Sequence, residues 1–410
     1  MLPKELIKRY KRIYISVSGF IDVSNLACLL IDTKEFQRLR HLHQLGTGYF
    51  VFPSASNSRF EHSLGTYNLA DKLLNTIKET TSKEVLRNCL MDVPELKEYY
   101  KNFKKEDVYL NDWICELIKL AALTHDIGHG PFSHVYDEYM HLIKKSRESH
   151  EDRSGRIFSD VMGKHLTKSE INFIKILIEP PKERKGFIYE IICNKSNSID
   201  VDKLDYANRD TYSLGLKESY DISPLVEDVR VINNKICYPV QLSYPITNLF
   251  TLRYRLHKQI CSHKTVVSSQ YMILDILKFV EHRLDYDFMD MTDYLVLSIP
   301  RAFRIKEAVK ILDRIYNRDF YKCIDKKVFK TKKERDIYYE DNLKKLEGNV
   351  NFRIHRGEIS MFPKDILNPF ENIYFYERKY PDKCFILNKD QISFLLPENF
   401  REYYIYLFET

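Results

Sequence analysis

Apolar residues recur at three- and four-residue intervals from about Phe20 to Leu284, as in Leu64, Tyr67, Leu69, Leu73 and Ile77, and again in Ile114, Leu117, Ile118 and Ala121. That period lines one face of a helix, so this stretch predicts successive amphipathic helices packed around a core. The pattern breaks at Pro180-Pro181 and the charged run Lys182-Glu183-Arg184-Lys185-Gly186. Proline disfavours helix at the preceding residue and the run has no face to bury, which predicts a surface loop. Asn233-Asn234 stands between the apolar runs Val229–Ile232 and Lys235–Tyr238, a hairpin signature. After about Asp290 a charged, helix-like segment around Lys326 to Lys345 precedes Phe352-Arg353-Ile354 and Ile373–Tyr376, which cluster like strands. The fold expected is mainly α: a helical core with a short β-hairpin over residues 1–290, and a smaller α+β C-terminal lobe over 291–410.

Composition narrows the function classes. The eight cysteines are scattered singly with no CxxC pair, which fits a reducing compartment and excludes a zinc ribbon or redox dithiol. No apolar run reaches the roughly 18–20 residues that cross a bilayer, and the N-terminus shows no secretory apolar region, so no membrane partner is expected. The cytoplasm is the expected location, with the basic run Lys326–Lys333 leaving the nucleus as the alternative. A net charge of +6, with cations and acids interleaved, favours anionic ligands only slightly. A Walker A loop is absent, which disfavours an ATP-driven machine.

The strongest local signal is Leu123-Thr124-His125-Asp126-Ile127-Gly128-His129-Gly130-Pro131-Phe132-Ser133-His134, at the end of an apolar helix. An adjacent His and Asp at a helix end can both reach one ion, and imidazole with carboxylate suits Mn, Fe, Ni or Zn. Alone, such a pair is more often a cap or a surface feature. Here His62 opens an amphipathic helix upstream, and Ile199–Tyr206 downstream is dense in carboxylates. Unpaired buried charge is costly, so these groups on apolar helices imply a shared ion, and the order His62, His125-Asp126, Asp202 completes a ligand set.

These segments resemble the HD-domain superfamily of metal phosphohydrolases, and within it the eukaryotic sterile-alpha-motif/HD-domain deoxynucleoside triphosphate triphosphohydrolases. Phe36–Arg40, Gln44-Leu45-Gly46, Tyr49–Pro53, the His62 and His125 segments, Ile199–Asp210 and Phe394–Phe400 all carry the likeness, which spans roughly Lys11 to Phe400 without a sterile-alpha-motif domain. The resemblance implies cleavage of a deoxynucleotide between the α-phosphate and the 5′-oxygen, with a divalent metal (Fe, Mn, Zn or Mg) on His62, His125, Asp126 and Asp202. His129, His134 and His150 match histidines near the reacting phosphate, and Asp137 matches a carboxylate that orients His129; the expected proton-transfer pair is His129 with Asp137. Arg59, Lys203, Tyr206 and Arg253 match residues that hold the triphosphate. Gln44 and Asp210 match contacts to the sugar 3′-hydroxyl, and Leu45 matches the apolar residue packed under C2′.

The likeness has gaps. Cys261 stands where the family has a tyrosine beside the sugar, which puts discrimination against ribonucleotides in doubt. Lys11, Asp32, Gln37 and Arg40 match a regulatory guanine-nucleotide site, with Tyr14 in place of an asparagine. At a second regulatory site Pro224, Pro239, Gln241 and Ile386 replace basic residues, and only His263, Lys264 and Lys389 remain. The resemblance therefore implies a homo-oligomer, dimer or tetramer, activated by GTP alone or not activated. Two other readings stay open: an HD phosphohydrolase acting on another nucleotide, and a nucleotide- or single-stranded nucleic-acid-binding protein.

Overall fold

The computed structural model describes residues 4–216, 221–283, 287–346, 351–361, 369–393, 396 and 400–410. Leu284, the expected end of the helical region, lies outside them, as does the Phe394–Phe400 segment apart from Leu396 and Phe400. The chain opens with a hairpin that the helical period had concealed: β1 (Arg9–Ile15) and β2 (Gly19–Ser24) pair antiparallel. Ser24 then caps α1 (Asn25–Ile31) by accepting from the Ala27 amide, so strand passes to helix without a loop.

Helices α2 (Arg59–Thr80), α3 (Asp112–Thr124), α4 (His134–Leu142), α5 (His150–Met162), α6 (Lys168–Ile178) and α7 (Val201–Ser213) form the body of the core. Helix α3 is buried on nearly every side, from Trp113 to Thr124, and packs against α2 and α6. Its start is fixed by Asn111, which accepts from the Ile114 amide. Side-chain caps likewise set α5, through a reciprocal Ser149–Asp152 box, and α7, through Asp200 and the Lys203 amide.

The Asn-Asn hairpin is present. Strands β3 (Arg230–Ile232) and β4 (Lys235–Pro239) are joined by Asn233 and Asn234 at φ 51° and 58°, the left-handed pair that a two-residue turn requires. Helix α8 (Ser243–Leu256) passes through a π-turn at His257–Cys261 into α9 (Lys264–Val280). Helices α10 (Asp293–Ala302) and α11 (Lys306–Tyr316) follow. The segment expected as charged helix from Lys326 divides into β5 (Lys322–Phe329) and α12 (Lys332–Leu346). Its lysines mask the strand period; pairing with a distant aromatic strand decides the conformation.

That partner is β9 (Arg401–Glu409), which lies between β5 and β6 (Phe352–Ser360) in an antiparallel sheet. Strands β7 (Tyr374–Glu377) and β8 (Tyr380–Ile386) complete a second sheet in the order β3-β4-β7-β8, with β4 and β7 parallel. One apolar cluster joins α1, α2, α3 and α6, and another joins α4, α9, α10, α11 and β9. No described helix is long and apolar enough to cross a membrane.

Candidate metal centre and nucleotide pocket

Three elements bring the expected metal-binding residues together. His62 lies on the first turn of α2, His125 and Asp126 follow the end of α3, and Asp202 lies on the first turn of α7. His62 Nε2 is 3.3 Å from His125 Nε2 and 3.2 Å from Asp202 Oδ1. Asp126 Oδ2 is 3.5 Å from His62 Nε2, and Asp126 Oδ1 is 3.4 Å from His125 Nε2.

The far side of each imidazole fixes its tautomer. His125 Nδ1–H donates to the Ala122 carbonyl at 2.7 Å, and His62 Nδ1–H donates to Asp205 Oδ2 at 2.9 Å. Both Nε2 atoms therefore point at each other and at the carboxylates of Asp126 and Asp202, and although burial opposes charge on each ring, these acids raise both imidazole pKa values. Burial alone would raise the pKa of Asp126, but Arg59 and His125 hold it well below the usual carboxylate range; Asp202 is lowered in the same sense by His125 and His62. Two imidazole nitrogens and two carboxylates converging within 3.6 Å are a donor set that fits a divalent metal, whose charge would take the place of the imidazole protons.

A second cluster borders the first. Asp137 Oδ2 accepts from His150 Nδ1 at 3.0 Å, while His129 Nδ1 is 3.9 Å and His134 Nδ1 3.8 Å away. The hydrogen bond thus goes to His150, not to His129 as the resemblance implied. Burial opposes charge on His150, but Asp137 and Glu151 outweigh it and hold its pKa up at about 9. His129 goes the other way: burial, Arg59 and His150 depress it well below its ordinary value. Its ring stacks on His150 with centroids 3.9 Å apart, which a cation–neutral pair tolerates and a pair of cations would not. Two buried arginines grip the intervening backbone. Arg38 donates to the Ile127, His129 and Met291 carbonyls, and Arg153 donates to the Gly128 carbonyl and to Asp137.

Both clusters border a cavity of about 390 Å³. Arg59, Asp126, His129, His134, His150 and Asp202 line it, as do Tyr206 and Arg253. Gln44, Leu45, Asp210 and Cys261 also line the cavity. Arg59 Nε donates to Ser133 Oγ at 2.9 Å, and its Nη1 bonds Asp126. Arg253 Nε donates to the Tyr206 hydroxyl at 3.0 Å. Asp210 is held by Asn57, and burial raises its pKa to about 6. Lys203 departs from the expectation: its ammonium bonds Asp200 at 2.8 Å and lies 3.8 Å from Asp202, behind the cavity wall.

The HD domain family pattern matches residues 59–205, which span His62 to Asp205. The deoxynucleoside triphosphate triphosphohydrolase SAMHD1 homolog of Dictyostelium discoideum is 34% identical over 417 residues, covering 96% of this chain and 76% of that protein. The chain belongs to the SAMHD1 family of HD-domain deoxynucleoside triphosphate triphosphohydrolases. An HD domain-containing protein of Acanthamoeba polyphaga mimivirus is 33% identical, covering 96% of this chain and 91% of its own length. Human SAMHD1 is 29% identical over 94% of this chain and 68% of that protein.

The regulatory positions carried over from the SAMHD1 family divide. Lys11 pairs with Asp32, Gln37 Nε2 donates to the Ile31 carbonyl at 2.7 Å, and Arg40 donates to Gln37 while stacking on Phe60. These four residues thus form linked contacts around α1. His263 caps α9, Lys264 begins it, and Lys389 opens the one-turn helix Lys389–Ile392. Residues not singled out in the sequence also serve the site: His257 and Gln270 line the cavity, and Asp205 and Arg209 stand behind His62. Asp205 was legible in principle, because it follows Asp202 by one helical turn.

Proposed function

We propose that this chain hydrolyses deoxynucleoside triphosphates to deoxynucleoside and triphosphate. The observation that carries this reading is one cavity that joins a two-His, two-Asp donor set to Arg59, Arg253 and the Gln44–Asp210 end. His62, His125, Asp126 and Asp202 would hold a divalent metal, which would supply Lewis acidity toward a phosphoryl oxygen and would lower the pKa of a bound water. Arg59 and Arg253 neutralise phosphate oxygens, and Tyr206 keeps Arg253 aimed. Neutral His129 accepts the water's proton as oxygen bonds to the α-phosphorus. Cationic His150, held by Asp137, delivers a proton to the departing 5′-oxygen as that P–O bond breaks.

Asp210 and Gln44 bind the 3′-hydroxyl, and Leu45 lies beneath the sugar. Cys261 supports a second reading, in which the small side chain at the sugar end admits ribonucleotides as well. A guanine nucleotide at Lys11, Asp32, Gln37 and Arg40, bridging copies of the chain, is the proposed activator.

The test is incubation with each deoxynucleotide and ribonucleotide in Mn or Mg, with and without GTP, and separation of the products by ion exchange. Triphosphate with deoxynucleoside supports the reading; orthophosphate or pyrophosphate overturns it. Equal rates with dGTP and GTP establish the ribonucleotide reading, and equal activity with and without GTP removes the activator.

A further inference from the structure

The N-terminal hairpin reaches the metal centre through one buried side chain. Arg209 on α7 is 1% exposed and makes a two-pronged bond to Asp205, Nε to Oδ2 and Nη2 to Oδ1, each at 2.8 Å. Its remaining nitrogen, Nη1, donates to the Ser16 carbonyl at 3.1 Å, across 193 positions of sequence. Asp205 in turn accepts from His62 Nδ1, so hairpin turn, guanidinium, carboxylate and imidazole form one continuous chain of bonds.

Two features show that this chain of bonds is built into the fold. A Cβ at Gly65, one turn beyond His62 on α2, would lie 1.9 Å from Asp205 Oδ1 and 2.3 Å from Arg209 Nη2, so α2 carries no side chain where the pair crosses it. The turn is strained as well: Ser18 N–H closes on the Ser16 carbonyl at 2.8 Å across Val17 at φ +73°, a conformation that β-branched residues rarely adopt. The same carbonyl thus holds the turn shut and receives Arg209.

We propose that Arg209 is a positioning residue that couples the seating of the β1–β2 hairpin to His62, so that the hairpin sets the centre's affinity for its divalent metal. This rests on the reading of His62 as a metal ligand. The hairpin suits the part, because it is a sheet of only two strands, marginal by itself, with Tyr10, Tyr14 and Phe20 exposed on it. It also carries Lys11, so a ligand that displaces Lys11 from Asp32 moves the element to which Arg209 is tied.

The test is Mn²⁺ affinity of the full chain by titration calorimetry, with apo-state thermal unfolding in parallel, for wild type, Asp202→Ala, Arg209→Ala, Val17→Pro and the double variant. Proline cannot take a positive φ, so Val17→Pro opens the turn without touching the pocket. Loss of a group bonded directly to a metal ligand weakens binding about 10–100-fold, and Arg209→Ala, one bond further out through Asp205, is expected at the low end, roughly tenfold. Val17→Pro is expected to weaken it in the same direction, and the double variant to be no weaker than Arg209→Ala alone, because both cut one connection. Unchanged affinity in Val17→Pro, or additive losses, overturns the coupling. If Arg209→Ala does not fold, Val17→Pro alone decides. Equal Mn²⁺ binding by wild type and Asp202→Ala, or none by wild type, overturns the metal-centre reading instead and the inference with it.

Discussion

Alanine at position 65 sets a helix-propensity gain against the buried Asp205–Arg209 pair. In a helix interior, Gly to Ala gains about 1 kcal/mol. The new Cβ, however, meets Asp205 Oδ1 at 1.9 Å, and the carboxylate has nowhere to go, held by Arg209 on one side and His62 on the other. Crowding a packed site costs roughly 1–3 kcal/mol, and parting a buried ion pair about 3–5 kcal/mol. Taking the pair as parted and crediting the propensity gain, Gly65→Ala should lower unfolding free energy by roughly 2–4 kcal/mol. Gly155 on α5 is the control, since a Cβ there meets only the flexible Lys175 side chain at 3.1 Å or beyond, and Gly155→Ala should be neutral or slightly stabilising. Urea unfolding of both apo variants measures the difference. Equal stabilities, or a more stable Gly65→Ala, would refute the argument that the pair constrains α2.

Chelating the metal should lower the melting temperature of wild type but not of Asp202→Ala, because a ligand at a hundredfold its dissociation constant adds about 2.7 kcal/mol to the native state. A pH series tests His150. Its folded pKa of about 9 lies above the ordinary 6.5, so its stabilisation is fully present below about pH 6.5 and is lost as pH rises through 9. This group should contribute a loss on the order of 3 kcal/mol over that window. The loss in His150→Gln should be smaller than in wild type by about that amount, the remainder coming from His62 and His125, whose pKa values are also raised. Asp293→Ala removes the acceptor for the Phe132 amide and for both the amide and Nδ1 of His43, and should cost about 2–4 kcal/mol in urea unfolding.

The parts legible in the sequence are those whose determinants are local. His125-Asp126 at an apolar helix end pointed to the cluster that the fold gathers with His62 and Asp202, and Asn233-Asn234 marked the turn that both residues' positive φ confirms. What stayed hidden depends on distant partners. Strand β5 carries lysines on a strand that β9 pairs with, and no local period announces it. The carboxylate of Asp137 has three histidines within 3.9 Å, and it bonds the one that stands beside its other partner, Arg153, on α5, which spacing does not announce. Arg209 is one of many arginines in the sequence; only folding brings it to Ser16.

The central claim is attack of water on the α-phosphorus. Hydrolysis of dGTP in ¹⁸O-water with Mn²⁺, read by ³¹P NMR and mass spectrometry, tests it most directly. The account predicts triphosphate carrying one ¹⁸O with unlabelled deoxyguanosine, and no product from Asp202→Ala. Label in orthophosphate or pyrophosphate, or in the 5′-hydroxyl of the nucleoside, would contradict it.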